Sequence, residues 1–179
     1  TGHTLRRLTL DVITLETMVA ASQYIQDIIY LRVSVNFEIP STFFLWIKKL
    51  KLVHLIFYKS FISCTKTFMN DLRMSLPPTV TELGMDFYNP ITIELSNFMQ
   101  SCVAPLRSLV LRYNSEHNDL YLKVLSVSVL TMKTLKTLYF TNSPHNLIWR
   151  DTQKQYVNAI KENGVEILTK RDKVYIRDV

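Results

Sequence analysis

Glycine is nearly missing from this chain. Only Gly2, Gly84 and Gly164 occur in 179 residues. Gly-rich phosphate loops need several closely spaced glycines, so nucleotide cradles of that kind are excluded. Cysteine is as scarce, with Cys64 and Cys102 alone and no Cys-x-x-Cys pair. Both fall in segments of helical rhythm, and they read as buried free thiols rather than a disulfide. No Asn-x-Ser/Thr sequon occurs. Together these features point to an intracellular, reducing compartment. No apolar run approaches the ~18 residues that a membrane-spanning helix needs.

The catalytic signals are missing too. His3, His54, His117 and His145 form no His-x-x-x-His pair and none lies beside a cysteine, so no metal centre is expected. Ser63-Cys64 and Ser101-Cys102 lack the flanking glycines of a nucleophile elbow. A non-catalytic chain without a cofactor is therefore expected. The start, Thr1-Gly2-His3, carries neither Met nor a signal-peptide layout, and reads as a processed piece of a longer protein.

What is present is apolar. Hydrophobic residues make up 47% and charged residues 20%, enough core for one ordinary domain and too little charge for disorder. The net charge is +6, but the basic residues are spread. Their tightest runs, Lys48-Lys49-Lys51 and Lys170-Arg171-Lys173, are short and read as solvated faces.

The apolar residues are ordered. "LKTLYF" at 135–140 spaces Leu135, Leu138 and Phe140 by three and then two. That fits neither a helix nor a plain alternating strand. The same template fits Leu5-Leu8-Leu10, Ile28-Leu31-Val33, Leu52-Leu55-Phe57, Val80-Leu83-Met85 and Leu106-Leu109-Leu111. The six starts are 23, 24, 28, 26 and 29 residues apart and tile the chain. One domain over 1–179 is expected, with repeats starting near 5, 28, 52, 80, 106 and 135 and a closing cap over 165–179.

This pattern resembles the leucine-rich repeat family, L-x-x-L-x-L-x-x-N/C, over about residues 5–145. The ninth position holds Asn36 and Asn114, but elsewhere Ile13, Ser60, Tyr88 and Ser143, so the asparagine ladder is incomplete. The long, irregular repeats are similar to the ribonuclease-inhibitor-like and F-box-type members. "LPPTVTELGMDFYNPI" at 76–91 is also similar to the FNIP repeats, with Tyr88 inserted between Phe87 and Asn89. It occurs once and is read as a variant leucine-rich repeat. The resemblance implies an α/β solenoid with a parallel concave sheet and helices on the convex side.

The segments between template matches carry helical rhythm. Helices are expected over 14–25, 43–49, 61–72, 91–103, 120–130 and 151–162. Pro40-Ser41-Thr42 opens the second and Asn163-Gly164 ends the last. Strands over 165–170 and 173–177 are expected to close the stack. Leu5, Leu8 and Leu10 are left on an open end, so further repeats or another domain are expected before Thr1.

Residues between and just after the inward apolars should face the concave side. Arg7, Tyr30, Arg32, His54, Tyr58, Glu82, Asp86, Arg112 and Tyr139 are the candidate partner-binding residues. Glu82 and Asp86 share one strand face and read as a solvated acidic spot rather than an acid–base pair. Phe87 and Tyr113 are placed at the rim. Aromatics and arginine anchor interfaces, and a face of mixed sign suits a protein better than a phosphate backbone. Recognition of a protein partner is expected, as a scaffold subunit or as the substrate receptor of an F-box-type ubiquitin ligase. The alternative is nucleic-acid binding, supported by the net positive charge with exposed Tyr and Arg.

Overall fold

A computed structural model describes residues 5–10, 14–34, 39–60, 65–87, 92–112, 118–141 and 148–169. Each template match becomes a short strand with its lead-in. The strands are β1 (Arg7–Leu10), β2 (Tyr30–Val33), β3 (His54–Ser60), β4 (Glu82–Phe87), β5 (Ser108–Arg112), β6 (Thr137–Thr141) and β7 (Glu166–Thr169). They form one seven-stranded sheet in sequential order, and every pair is parallel. Parallel neighbours need a crossover connection. Here each crossover carries a helix: α1 (Leu15–Tyr24), α2 (Ser41–Ile47), α3 (Lys66–Ser75), α4 (Thr92–Ser101), α5 (Asn118–Ser128) and α6 (Asp151–Glu162).

Local chemistry sets the helix starts. Thr14 Oγ1 accepts the Thr17 N–H at 3.2 Å, and Thr65 Oγ1 accepts the Phe68 N–H at 3.1 Å. Each satisfies one of the donors left over in a first turn. The Thr65 cap explains why α3 runs from Lys66, later than the expected 61. Gln153 Oε1 accepts the Arg150 N–H at 3.1 Å and opens α6. Gly164, at φ +75°, takes the left-handed conformation that ends α6 and turns the chain into β7.

One core lies between the sheet and the helices. Leu31, Val33, Leu55, Phe57, Leu83, Met85, Leu109, Leu111, Leu138 and Phe140 enter it from the strands. The lead-in residues Ile28, Leu52, Val80, Leu106 and Leu135 join them. Leu5 does not: it is 51% exposed, because it leads into the edge strand and no strand precedes β1 among the described residues. α2 is short, and rings fill the space beneath it. Phe43, Phe44, Trp46, Phe57 and Phe68 contact one another with centroids 5.5–6.1 Å apart. Trp46 Nε1 donates to the Ile25 carbonyl at 3.1 Å, tying α2 to the end of α1.

The strand lead-ins repeat one backbone device. The Arg6 carbonyl accepts the N–H groups of Ile29 and Tyr30, at 2.8 and 3.1 Å. Ile29 serves Val53 and His54 in the same way, Val53 serves Thr81 and Glu82, Thr81 serves Arg107 and Ser108, and Arg107 serves Lys136 and Thr137. Side chains add a second staple: Thr79 donates to the Leu52 carbonyl and Thr134 to the Leu106 carbonyl, at 2.5 and 2.9 Å. Asn36, Asn114, Cys64, Tyr113, His3, His117, His145 and the expected strand 173–177 lie outside the described residues. No described helix is long and apolar enough to cross a membrane.

Candidate functional site

The sheet face opposite the helices carries the residues between the inward apolars. Parallel pairing aligns them in rows, because equivalent template positions are direct partners across every pair of strands. One row runs Arg7, Tyr30, His54, Glu82, Ser108, Thr137, Glu166. The next runs Thr9, Arg32, Ile56, Gly84, Val110, Tyr139, Leu168. Beyond these lie Tyr58, Asp86, Arg112 and Thr141.

The first row is a continuous chain of side chains over four strands. The Arg7 guanidinium sits 4.4 Å from the Tyr30 ring centroid. Tyr30 and His54 have centroids 5.8 Å apart. His54 Nδ1 lies 3.0 Å from Glu82 Oε2, and since the carboxylate accepts, Nδ1 carries the proton. Such contacts near solvent contribute about 0.5–1 kcal/mol each. Their larger effect is to fix the rotamers of long side chains before anything binds.

The middle row is less polar. Ile56 leans over Gly84, whose missing side chain leaves the room: a Cβ there would stand 2.7 Å from Ile56 Cγ2. Val110 and Tyr139 are almost out of water, at 7% exposed. Tyr139 therefore offers a partner little surface, against the expectation of an exposed anchor. Arg32 stacks on Tyr58, with Cζ 3.8 Å from the ring centroid. The β3–β4 register slips by one residue between Phe57 and Ser60. A bulge of this kind re-aims side chains near it, and Tyr58 falls within it.

Asp86 departs from expectation in the same way as Tyr139. It is not a solvated acidic spot but is 4% exposed. Its Oδ1 accepts from Arg112 Nη1 at 3.2 Å and from Thr141 Oγ1 at 3.1 Å. Glu82 is also engaged, by His54. The two carboxylates of β4 thus work apart, Glu82 held by the His54 ring of β3 and Asp86 by the Arg112 cation of β5. Of the candidate residues, Arg7, Tyr30, Arg32, His54 and Tyr58 stay partly accessible, with parts of Glu82 and Arg112, while Asp86 and Tyr139 are buried.

Elsewhere the chemistry is thin. Among the described residues no group of three or more His, Cys, Asp or Glu is placed to hold a metal ion. Burial pushes the Cys102 thiol above its ordinary pKa, while the Ala104 backbone and Arg73 draw it partly back. On the helical side α3 and α4 leave an open groove of about 290 Å³, lined by Lys66, Asn70, Arg73, Glu94 and Asn97 among others. Its mixture of cations, carboxylate and amides defines no single ligand chemistry. Comparison with protein-family models, with curated proteins and with solved structures finds no match for this chain.

Proposed function

We propose that this chain is a leucine-rich repeat solenoid of the irregular, F-box-like kind, and that its open sheet face recognises a protein partner without catalysis. The repeat spacing and the strand-to-strand register support the architecture. The observation that carries the recognition role is the row Arg7–Tyr30–His54–Glu82. It joins an arginine, two rings and a carboxylate into one ordered and partly exposed strip. Tyrosine and arginine deliver the most binding energy per residue when they are already ordered. The strip ends in a negative charge after beginning in a positive one, which favours a protein over a uniform polyanion. A substrate receptor of a ubiquitin ligase and an intracellular scaffold subunit are the two roles that fit by fold analogy.

The second reading is a nucleic-acid module. The Arg32–Tyr58 stack and the net charge of +6 favour it, since stacked rings and arginine suit single strands.

The test is affinity capture from native lysate at low and high salt. The bait is the chain, or its Tyr30→Ala, His54→Ala, Tyr58→Ala variant after its thermal melt has been checked. Arg112 is left intact because it holds Asp86. A protein captured by the parent at both salt levels and lost by the variant, then shown to bind when purified, carries the proposal. Capture of the same proteins by both baits sinks the open-face role. Nucleic acid that is released steeply by salt supports the second reading instead.

A further inference from the structure

Every strand runs the same way, and each helix returns the chain between two of them. All the helix-to-strand turns therefore open at one end of the sheet. Basic residues that are spread along the sequence are collected at this end by the fold. The four turns from α2 to β6 hold Lys48, Lys49, Lys51, Arg107, Lys133 and Lys136, all exposed. None of the six is in an ion pair among the described residues. No Asp or Glu falls in any of these turns, taken with the last turn of each helix as 44–53, 72–81, 98–107 and 125–136. The helix macrodipole favours Lys48 and Lys49 next to the end of α2, but its effect fades within a turn. Lys51, Arg107, Lys133 and Lys136 stand farther past their helices. The same four turns each expose a large apolar side chain: Leu45, Met74, Val103 and Leu130 are 55–85% exposed. The other end of the helices differs. Ile93, Leu120 and Ile148 are exposed there too, but the first helical turns next to them carry Glu94, Asp119 and Asp151.

We infer that this rim of four turns seats the protein on an anionic lipid surface. A phosphate backbone rewards the cations but leaves the apolar side chains in water. A protein partner pools its apolar contacts at the centre of an interface. Here they are spaced turn by turn, among cations. A bilayer surface accepts that spacing, with headgroup charge for the lysines and the arginine and the acyl boundary for each apolar side chain. Such a partner is extended and level, and the in-register strands β3 to β6 bring their turns to one level. The acids at the opposite end of the helices set the orientation, because an anionic surface repels them. The open sheet face is not part of this rim, so the inference stands apart from the recognition role proposed above.

The test sediments the full chain with phosphatidylcholine vesicles, with and without phosphatidylserine as one lipid in three. Binding that needs phosphatidylserine is expected. Lys48→Gln, Lys49→Gln and Lys51→Gln together should weaken it about 100-fold, at about 5-fold for each cation. Lys66→Gln, Lys123→Gln and Lys154→Gln make the same charge change outside the four turns and should weaken it far less. Thermal melts check that both triple variants fold. Insertion is read from Val103→Trp, a change at an exposed site. Its added emission over the parent should shift to the blue on phosphatidylserine vesicles and stay unshifted with a short oligothymidylate. No binding to phosphatidylserine vesicles overturns the inference and leaves the rim to a protein. Equal losses in the two triple variants overturn it, since net charge alone would then explain the binding. Binding without a blue shift overturns it as well, because the apolar side chains would then stay in water. Tighter binding to the oligothymidylate than to the vesicles, lost in the Lys48, Lys49, Lys51 variant, overturns it in favour of a nucleic acid.

Discussion

Arg112 on β5 donates to Asp86 on β4 at 3.2 Å, and the pair is almost sealed from solvent, with side chains 17% and 6% exposed. The two share no repeat. They meet because each follows the inward apolars of its own strand by the same interval, and the strands are in register. A charge in that position without its counter-ion is unfavourable.

Arg112→Ala should therefore destabilise the fold by about 3 kcal/mol, leaving Asp86 with Thr141 as its remaining donor among the described residues. Urea unfolding checks it. The double variant Asp86→Ala, Arg112→Ala should regain part of the loss, since it leaves no charge behind. Equal stability of Arg112→Ala and the parent would contradict the pairing.

Gly84→Ala tests the close approach on the middle row. The new Cβ would stand 2.7 Å from Ile56 Cγ2, and a β-branched side chain has few other rotamers to take. A loss of about 1–3 kcal/mol is expected. In an Ile56→Ala background the same change should cost much less, and thermal melts of the four proteins give the coupling.

Core and edge should differ sharply. Leu109 is fully buried, and Leu109→Ala should cost about 2–5 kcal/mol. Leu5, half exposed at the head of the edge strand, should change stability by only about 0.5 kcal/mol when replaced by alanine. Chemical denaturation of both variants decides whether stability is concentrated at the middle of the stack.

Cys102 should be a slow nucleophile. Burial raises its pKa, so less thiolate is present at a given pH than for a free thiol, and the thiolate is the reactive form. Alkylation by iodoacetamide, followed by peptide mass mapping, should run slower at Cys102 than at free cysteine near neutral pH. The rate should climb as pH rises toward the raised pKa, and unfolding should abolish the difference. A rate equal to that of free cysteine in the folded chain would refute the burial.

Much of this arrangement can be read from repeat alignment. Leu31, Leu55, Leu83, Leu109 and Leu138 occupy one template position, and the structure pairs them strand to strand. His54 and Glu82 likewise share one template position, and the structure pairs them across β3 and β4. The pairing itself shows only when face residues are compared across neighbouring repeats, because the two partners stand 28 residues apart in the chain. The ends of elements were harder to read. The Thr65 cap moved the start of α3, and the bulge near Tyr58 follows from no pattern of apolar residues.

The sequence by itself determined the parallel α/β sheet and its core. The inward positions recur at one spacing, and apolar burial acts on every copy alike. Only the tertiary structure decided which face residues are spent inside the molecule and which remain exposed. That depends on distances of a few ångströms between strands more than twenty residues apart in the chain, as between Asp86 and Arg112. It depends as well on the accumulated cover that withdraws Tyr139 from water while Arg32 keeps a donor without an acceptor. Hydrophobic pattern is nearly blind to such pairings, because a polar side chain meets its partner through geometry and not through average burial.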